Sequence, residues 1–271
     1  MAGHALTPLN PVAFITGASS GIGAALALEF ARRGADVVAA ARRADRLEEV
    51  AGQVRGLGRR CLVLPCDVTR DGDQERVVEH ALEEFGRLDW AVANAGFGVA
   101  GAVHKLELGD FRRQFETNVF GVLRTVYATR EALLSSRGSL AIMGSVSGEL
   151  AFARSGPYSM SKFAIRSLAQ TLWYELGRKG VAVTLIEPGF VDSEIRQVDN
   201  RGDLHLDRPD TMPRWIRVPS DRAARKIVNA IVRRRRKVVI TGHGKIAVAL
   251  ERFIPGTLAH TVRALGQKVG R

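Results

Sequence analysis

A doubly wound α/β fold, with one parallel sheet of seven strands and helices on both faces, is predicted for this chain by three observations. Short β-branched or apolar runs alternate with helical segments of about 12 to 15 residues, the rhythm of parallel βαβ units. The first run, Val12-Ala-Phe-Ile15, passes through a glycine-rich turn, Thr16-Gly17-Ala18-Ser19-Ser20-Gly21-Ile22-Gly23, directly into a helix. No internal repeat, linker or low-complexity block divides the 271 residues. Residues 1–241 therefore read as a single domain, and 242–271 as a short helical extension of it.

Val12 to Ile15 is too short for a helix and forms the first strand. The helix after the turn carries Leu26, Leu28, Phe30 and Ala31 and stops at Gly34. Glycines at 17, 21 and 23 let the backbone turn sharply and approach a ligand, while the helix N-terminus offers free N–H groups to a pyrophosphate. Such a turn between strand and helix is the context of a nucleotide site, here spaced GxxxGxG. Asp36 to Ala41 is the second strand and ends in Arg42-Arg43. An acid at this place pairs with the adenosine 2′-hydroxyl, whereas arginine accommodates a 2′-phosphate, so the pair favours NADP(H) over NAD(H). Arg59 to Leu64 is the third strand, closed by Pro65-Cys66-Asp67-Val68, with Asp67 placed to accept from the adenine amine. Asp71 to Phe85 is an amphipathic helix. Leu88 to Ala93 is the fourth strand, and Asn94-Ala95-Gly96 follows as a turn that lies under the cofactor.

Phe111 to Leu134 is a long helix carrying Asn118, an amide that must find partners in an apolar region and serves either as a core brace or in the site. Ser139 to Met143 is the fifth strand and delivers Ser145 at its C-terminal end, the rim where open α/β sheets gather ligands. The next helix carries Phe163, Ile165, Leu168, Leu172 and Leu176 at helical spacing, so Tyr158 and Lys162 project from one face. A cation beside a phenol that titrates near pH 10 draws it toward neutrality, which suits proton transfer. Val181 to Glu187 is the sixth strand, followed by Pro188-Gly189-Phe190-Val191-Asp192-Ser193. The pattern dissolves over 194–219, a loop of the length reserved for lids. Asp221 to Val232 is a helix and Lys237 to Thr241 the seventh strand. Two short amphipathic helices, broken at Pro255-Gly256, complete the chain.

The net charge of +12 is concentrated at one end. Residues 233–271 hold ten Lys or Arg against Glu251 alone, or +9, which leaves about +3 for everything before them. No aromatic-interleaved or helix-turn-helix motif accompanies this charge, so nucleic acid is not an expected partner. The apolar face of the extension is expected to pack on the domain and close the substrate pocket, with an anionic membrane surface as the alternative. Cys61 and Cys66 lack ligand spacing and read as free thiols of a reducing cytoplasm. No apolar run approaches the ~18 residues that span a bilayer, and Met1 to Asn10 read as a short disordered lead-in without the marks of a secretory signal. The six histidines show no metal-ligand spacing, and only His205, in the lid, is placed for substrate contact.

The ordered set TGASSGIG at 16–23, NAG at 94–96, Asn118, Ser145, YxxxK at 158–162 and PG at 188–189 resembles the short-chain dehydrogenase/reductase family, over roughly residues 12–241. The resemblance implies a Rossmann-type catalytic domain in which Tyr158 is the acid/base and Lys162 lowers its pKa and holds the nicotinamide ribose. It implies that Ser145 hydrogen-bonds the substrate oxygen and that Asn118 holds a water linking Lys162 to solvent. The implied cofactor lining is Gly17, Ser19, Ser20, Gly21, Ile22, Gly23, Arg42, Arg43, Asp67, Val68, Asn94, Ala95, Gly96, Pro188, Gly189, Val191 and Ser193, together with Tyr158 and Lys162. Ser193 stands where the family often has threonine and keeps the hydroxyl that meets the carboxamide. The implied reaction is hydride transfer between NADP(H) and the carbonyl or secondary alcohol of a small-to-medium organic substrate, with a catalytically silent NADP-binding regulatory protein or a membrane-peripheral reductase of a lipidic substrate as the alternatives. A homodimer or homotetramer, paired through the helices of Asn118 and Tyr158, is implied as well. The long basic tail departs from compact members and resembles those acting on lipidic or steroid-like alcohols and ketones.

Overall fold

The computed structural model describes residues 10–207, 210, 212–254, 256 and 263. Its strands are β1 (Val12–Thr16), β2 (Asp36–Ala41), β3 (Cys61–Pro65), β4 (Trp90–Ala93), β5 (Ser139–Met143), β6 (Ala182–Glu187) and β7 (Lys237–Val239). All pair in parallel, in the order β3-β2-β1-β4-β5-β6-β7. The winding reverses between β1 and β4, so the crevice beyond their carboxyl ends is the topological switch point at which ligands of such sheets bind. Every residue of β1, β2 and β5 is buried, which is why these segments read as continuous apolar runs rather than alternating ones.

The helices are α1 (Gly21–Arg32), α2 (Ala44–Gly56), α3 (Asp73–Phe85), α4 (Leu108–Phe115), α5 (Gly121–Ser136), α6 (Gly156–Gly177), α7 (Ser220–Val232) and α8 (Gly242–Phe253). On one face, α1, α2 and α7 bury Leu26, Phe30, Leu47 and Ile227 against Ile15, Val37 and Ile186. On the other, α3, α5 and α6 bury Val77, Leu133 and Ile165 against Phe14, Val38 and Ile142. Removing any of these large side chains costs about 2–5 kcal/mol, because a close-packed core collapses only partly around the gap.

Two predicted elements differ in detail. The long helix expected over 111–134 is divided: α4 and α5 are joined by a π turn, Glu116–Phe120, with Asn118 at its centre and 1% exposed. Such turns insert an extra residue into the helix and are frequent at functional sites. The extension differs too. Thr241 caps α8 by accepting from the Gly244 N–H (3.2 Å), and a Cβ added at Gly244 would lie 2.8 Å from Val146, so the first turn of α8 sits close on the domain. Beyond it, Ile246, Leu250 and Phe253 are exposed, so the apolar face of α8 does not cover the domain as expected. The second helix expected after Pro255-Gly256 falls largely outside the described residues, as do residues 1–9 of the lead-in.

Among its described residues the loop over 194–219 contains two 3-10 turns, Glu194–Gln197 and Arg214–Ile216, and is tied back by bridges Val191↔Val218 and Val198↔Leu204. Asn200 fastens its tip across the crevice, exchanging two 3.0 Å hydrogen bonds with the Ala100 backbone.

Candidate active site

The glycine-rich turn is held by close backbone approach. Gly17 and Gly21 have φ of +67° and +53°, which favour glycine, and a Cβ on Gly23 would stand 2.1 Å from the Gly17 carbonyl oxygen. Thr16 Oγ1 accepts from the N–H groups of Asn94 (3.0 Å) and Ala95 (3.1 Å), and Asn94 Nδ2 donates to the carbonyl oxygens of Thr16 (2.9 Å) and Gly17 (3.3 Å). Asn94 thus uses its amide to lock the β4 turn onto the glycine turn, and shapes the crevice through the backbone. Gly96 continues that turn 3.0 Å, measured from an ideal Cβ, from Asn118 Oδ1.

At the end of β2 the two arginines diverge. Arg42 donates to the Gly202 carbonyl (3.2 Å). Arg43 lies across the glycine turn, donating to Ser20 Oγ (2.7 Å), Ser19 Oγ (3.1 Å) and Glu194 Oε2 (3.1 Å). Arg46, one turn along α2, donates to the other oxygen of Glu194 (2.5 Å). Asp67 Oδ1 accepts from the Thr69 N–H (3.0 Å) and hydroxyl (2.8 Å). Burial works to raise its pKa, but these bonds and the field of Arg42 hold the carboxyl below its ordinary range. Val68 is buried against Gly121 and contributes to the wall through packing. Ile22 is partly buried and packs on the core below the turn.

At the end of β5, Ser145 is buried, and its Oγ accepts from the Ser147 N–H (3.0 Å), which leaves its own O–H free to donate. Tyr158 stands at the start of α6, half-buried, with the Ser145 hydroxyl beside its phenol. Lys162 is buried one turn along, its Nζ 5.7 Å from the centre of the Tyr158 ring and donating to the Met143 carbonyl (2.8 Å). Burial alone lowers the Lys162 ammonium to about 8. Burial is also the largest influence on Tyr158 and pushes the phenol above its ordinary value, while Ser145 and then Arg196 act against it. The expectation that the neighbouring lysine draws this tyrosine toward neutrality is therefore corrected. Desolvation outweighs the cations, and the one that reaches the phenol in this arrangement is Arg196 of the lid.

Asn118 spends its amide on protein. Oδ1 accepts from the Phe97 N–H (3.1 Å), and Nδ2 donates to the Phe97 carbonyl (3.0 Å) and to Ser161 Oγ (3.2 Å), which in turn donates to the Tyr158 carbonyl (2.7 Å). The π turn thus cross-links the loop after β4 to the helix of Tyr158.

The turn after β6 is braced from an unexpected direction. The Pro188 carbonyl accepts from the Val146 N–H (3.0 Å), and His243 Nε2 accepts from the Phe190 N–H (3.0 Å) while its ring stacks on Phe190. Burial lowers the His243 pKa, which suits a nitrogen that must stay unprotonated to accept. Gly189 lies against Thr241 and His243, where a Cβ would come within 2.3 Å of Thr241 Oγ1. Val191 is buried, and Ser193 faces Gly21, its Cβ 3.1 Å from an ideal Cβ there. An open cleft of about 510 Å³ lies between the glycine turn and the lid, lined by Gly21, Ser193, Glu194, Arg214, Arg217 and Asp210 among others. His205 does not line it, and is paired with Asp199 Oδ2 at 2.9 Å.

The predicted residues gather in three groups: Arg42, Arg43 and Asp67 after β2 and β3, the glycine turn with Asn94, and Ser145, Tyr158 and Lys162 at the end of β5 and the start of α6. Sequence reasoning passed over Arg46, Glu194, Arg196 and His243. Only Arg46 left a trace, as a cation three residues after Arg43 on a helix start. Cys61 and Cys66 are free and buried, their thiols pushed up to about 12 by burial and so unreactive. Among the described residues no helix is long and apolar enough to cross a membrane, and no three His, Cys, Asp or Glu side chains are grouped to hold a metal ion.

Comparison with known proteins identifies the family. The family model described as short chain dehydrogenase matches residues 11–203. An 11-beta-hydroxysteroid dehydrogenase A from Sesamum indicum is 36% identical over 267 residues, covering 94% of this chain and 75% of that protein. Among solved structures, a short chain dehydrogenase/reductase from Burkholderia phymatum in complex with NAD superposes with a TM-score of 0.81 at 26% identity, covering 90% of this chain and 93% of the other. A short-chain dehydrogenase from Sphingobium yanoikuyae in complex with NADPH gives 0.74 at 28%, covering 92% and 95%. With a seven-stranded switch-point crevice, a glycine cradle that admits no side chain and a family model spanning most of the sheet, the chain belongs to the short-chain dehydrogenase/reductase family of oxidoreductases.

Proposed function

We propose that the chain is an NADP(H)-dependent oxidoreductase that interconverts a carbonyl and a secondary alcohol, with Tyr158 as acid/base. The observation that carries the reading is the convergence of Ser145, Tyr158 and Lys162 on one rim, with Ser145 beside the phenol and Lys162 anchored to the Met143 carbonyl one turn along. The glycine turn and the α1 N-terminus suit a pyrophosphate, Arg42 and Arg43 suit a 2′-phosphate, and Lys162 keeps two N–H groups for ribose hydroxyls after bonding Met143. When bound, the nicotinamide supplies or accepts the hydride. In reduction, negative charge gathers on the former carbonyl oxygen, and the Ser145 O–H donates a hydrogen bond to it. The Tyr158 phenol, kept protonated by its burial, gives that oxygen its proton, and in oxidation the proton returns by the same route. Asn118 holds the Tyr158 helix in register through Phe97 and Ser161. Residues 1–241 form the catalytic unit, with 194–219 as its lid.

The substrate proposed is a small-to-medium organic alcohol or ketone of largely apolar character, in keeping with the hydroxysteroid dehydrogenase names of the relatives and the exposed Leu206 and Trp215 of the lid. Two buried free thiols suit a cytoplasmic enzyme. In Tyr158→Phe, NADPH-linked turnover on a ketone panel is expected to fall by roughly 10²–10⁴-fold, the range for a general acid, while NADPH binding by titration persists. Near-normal turnover in that variant refutes the reading.

A further inference from the structure

One acid on the lid is tied to two cations that the proton chemistry does not use. Glu194, at the first turn of the lid, receives Arg43 on one carboxylate oxygen (3.1 Å) and Arg46 on the other (2.5 Å). The same Arg43 guanidinium also holds Ser19 and Ser20 of the glycine turn. The pairing is partly withdrawn from water, with side chains 34%, 28% and 23% exposed for Arg43, Arg46 and Glu194. Burial acts to raise the Glu194 carboxyl, but Arg46, Arg43 and Ser20 more than offset it, so the group stays ionised. Two guanidinium groups on one anion, with the Ser20 hydroxyl beside them, are a donor set that a phosphate monoester also takes. They stand just after β2, where an arginine meets an adenosine 2′-phosphate. One anion at a time can use these donors.

We propose that Glu194 is an internal competitor for the 2′-phosphate of the cofactor and thereby sets how strongly the enzyme discriminates between phosphorylated and unphosphorylated dinucleotides. A nucleotide with a 2′-phosphate must displace the carboxylate from Arg43 and Arg46. One without it leaves the ion pairs in place. Glu194 therefore lowers affinity for the phosphorylated form alone. The inference rests on the part of the reading above that puts the adenosine end of the cofactor at Arg43 and Arg46, and not on which dinucleotide the wild type prefers.

The test is calorimetric titration of the full chain and of Glu194→Gln with 2′-phospho-ADP-ribose and with ADP-ribose at one ionic strength. Glu194→Gln is expected to bind the phosphorylated nucleotide roughly 5- to 30-fold more tightly, the factor for losing a competing charged hydrogen-bond partner, with ADP-ribose changed less than about twofold. Glu194→Asp, which keeps the charge, is expected to stay near the wild type. Arg43→Ala is expected to remove most of the wild-type preference between the two nucleotides. Equal gains for both nucleotides place the effect on the shared pyrophosphate and overturn the proposal, as does no gain for either. The wild type alone judges the cofactor reading. If it binds both nucleotides equally while Glu194→Gln prefers the phosphorylated one, that reading fails and this one stands.

Discussion

Tyr158 balances two opposing influences. Its burial favours the neutral phenol, while Ser145 and the Arg196 guanidinium favour the phenolate. Arg196 is itself fixed by two 2.7 Å bonds to Asp210, which also pairs with Arg217. Arg196 thus sets part of the electrostatics of the phenol. In the proposed mechanism alcohol oxidation requires the phenolate, so weakening Arg196 moves its acid limb to higher pH. In Arg196→Gln the pH–rate profile for oxidation is expected to shift in the alkaline direction, with Arg196→Lys restoring much of the wild-type profile. An unshifted profile, with only the amplitude reduced, assigns Arg196 a purely structural part. YxxxK spacing displayed the phenol and the ammonium in the sequence, but not which cation governs the phenol, because Arg196 is 38 residues away and arrives through the lid.

At the scale of elements, the β6–β7 edge holds a buried acid pair outside the catalytic rim. Glu187 ends β6 with no exposure, beside Glu149, while Lys237 of β7 reaches both carboxyls at 2.5 and 3.1 Å and Arg166 of α6 reaches Glu149 at 2.9 Å. Burial, then the neighbouring Glu149, raises Glu187 to about 8, while Glu187, Lys237 and Arg166 hold Glu149 below its ordinary value. A raised acid is stabilising while it remains protonated. That contribution is complete below its unfolded value, from 4.5, and is lost as pH rises toward about 8. Glu187→Gln keeps a donor for Glu149 without the titration. Its melting temperature is expected to fall less than that of the wild type between pH 6 and 9, by a few degrees, since about 1 kcal/mol moves a chain of this size by roughly 2–4 °C. Parallel pH curves for the two proteins contradict the account. This pair was hidden in the sequence, where Glu149 and Glu187 stand 38 residues apart and no period links them.

At the scale of the whole molecule, the face covered by α5 and α6 carries large apolar groups toward solvent. Phe120 and Tyr127 follow one stripe, and Met160, Phe163 and Tyr174 another, with Tyr174 53% and Tyr127 66% exposed. Isolated exposed apolar residues are ordinary, but a two-helix stripe of this kind suits a self-complementary interface. The chain is expected to elute with the mass of a dimer or tetramer in light-scattering chromatography, and Phe163→Glu with Tyr174→Glu to give a monomer that retains its fold by circular dichroism. A monomeric wild type at micromolar concentration counts against assembly through these helices.

The seven-stranded parallel sheet, the glycine turn and the family were legible in the sequence by itself, because parallel strands buried on both faces leave apolar runs and a backbone that turns sharply in close contact leaves glycines. Strand ends shifted by one or two residues, and the long helix hid a π turn, since periodicity averages over a single inserted residue. Tertiary structure alone decided how the charged groups pair. It turned Asn94 and Asn118 into backbone braces, let His243 of α8 hold the turn after β6, and set Glu194 against Arg43 and Arg46. Those outcomes depend on distance and desolvation between residues remote in the chain, and neither quantity is written in local spacing.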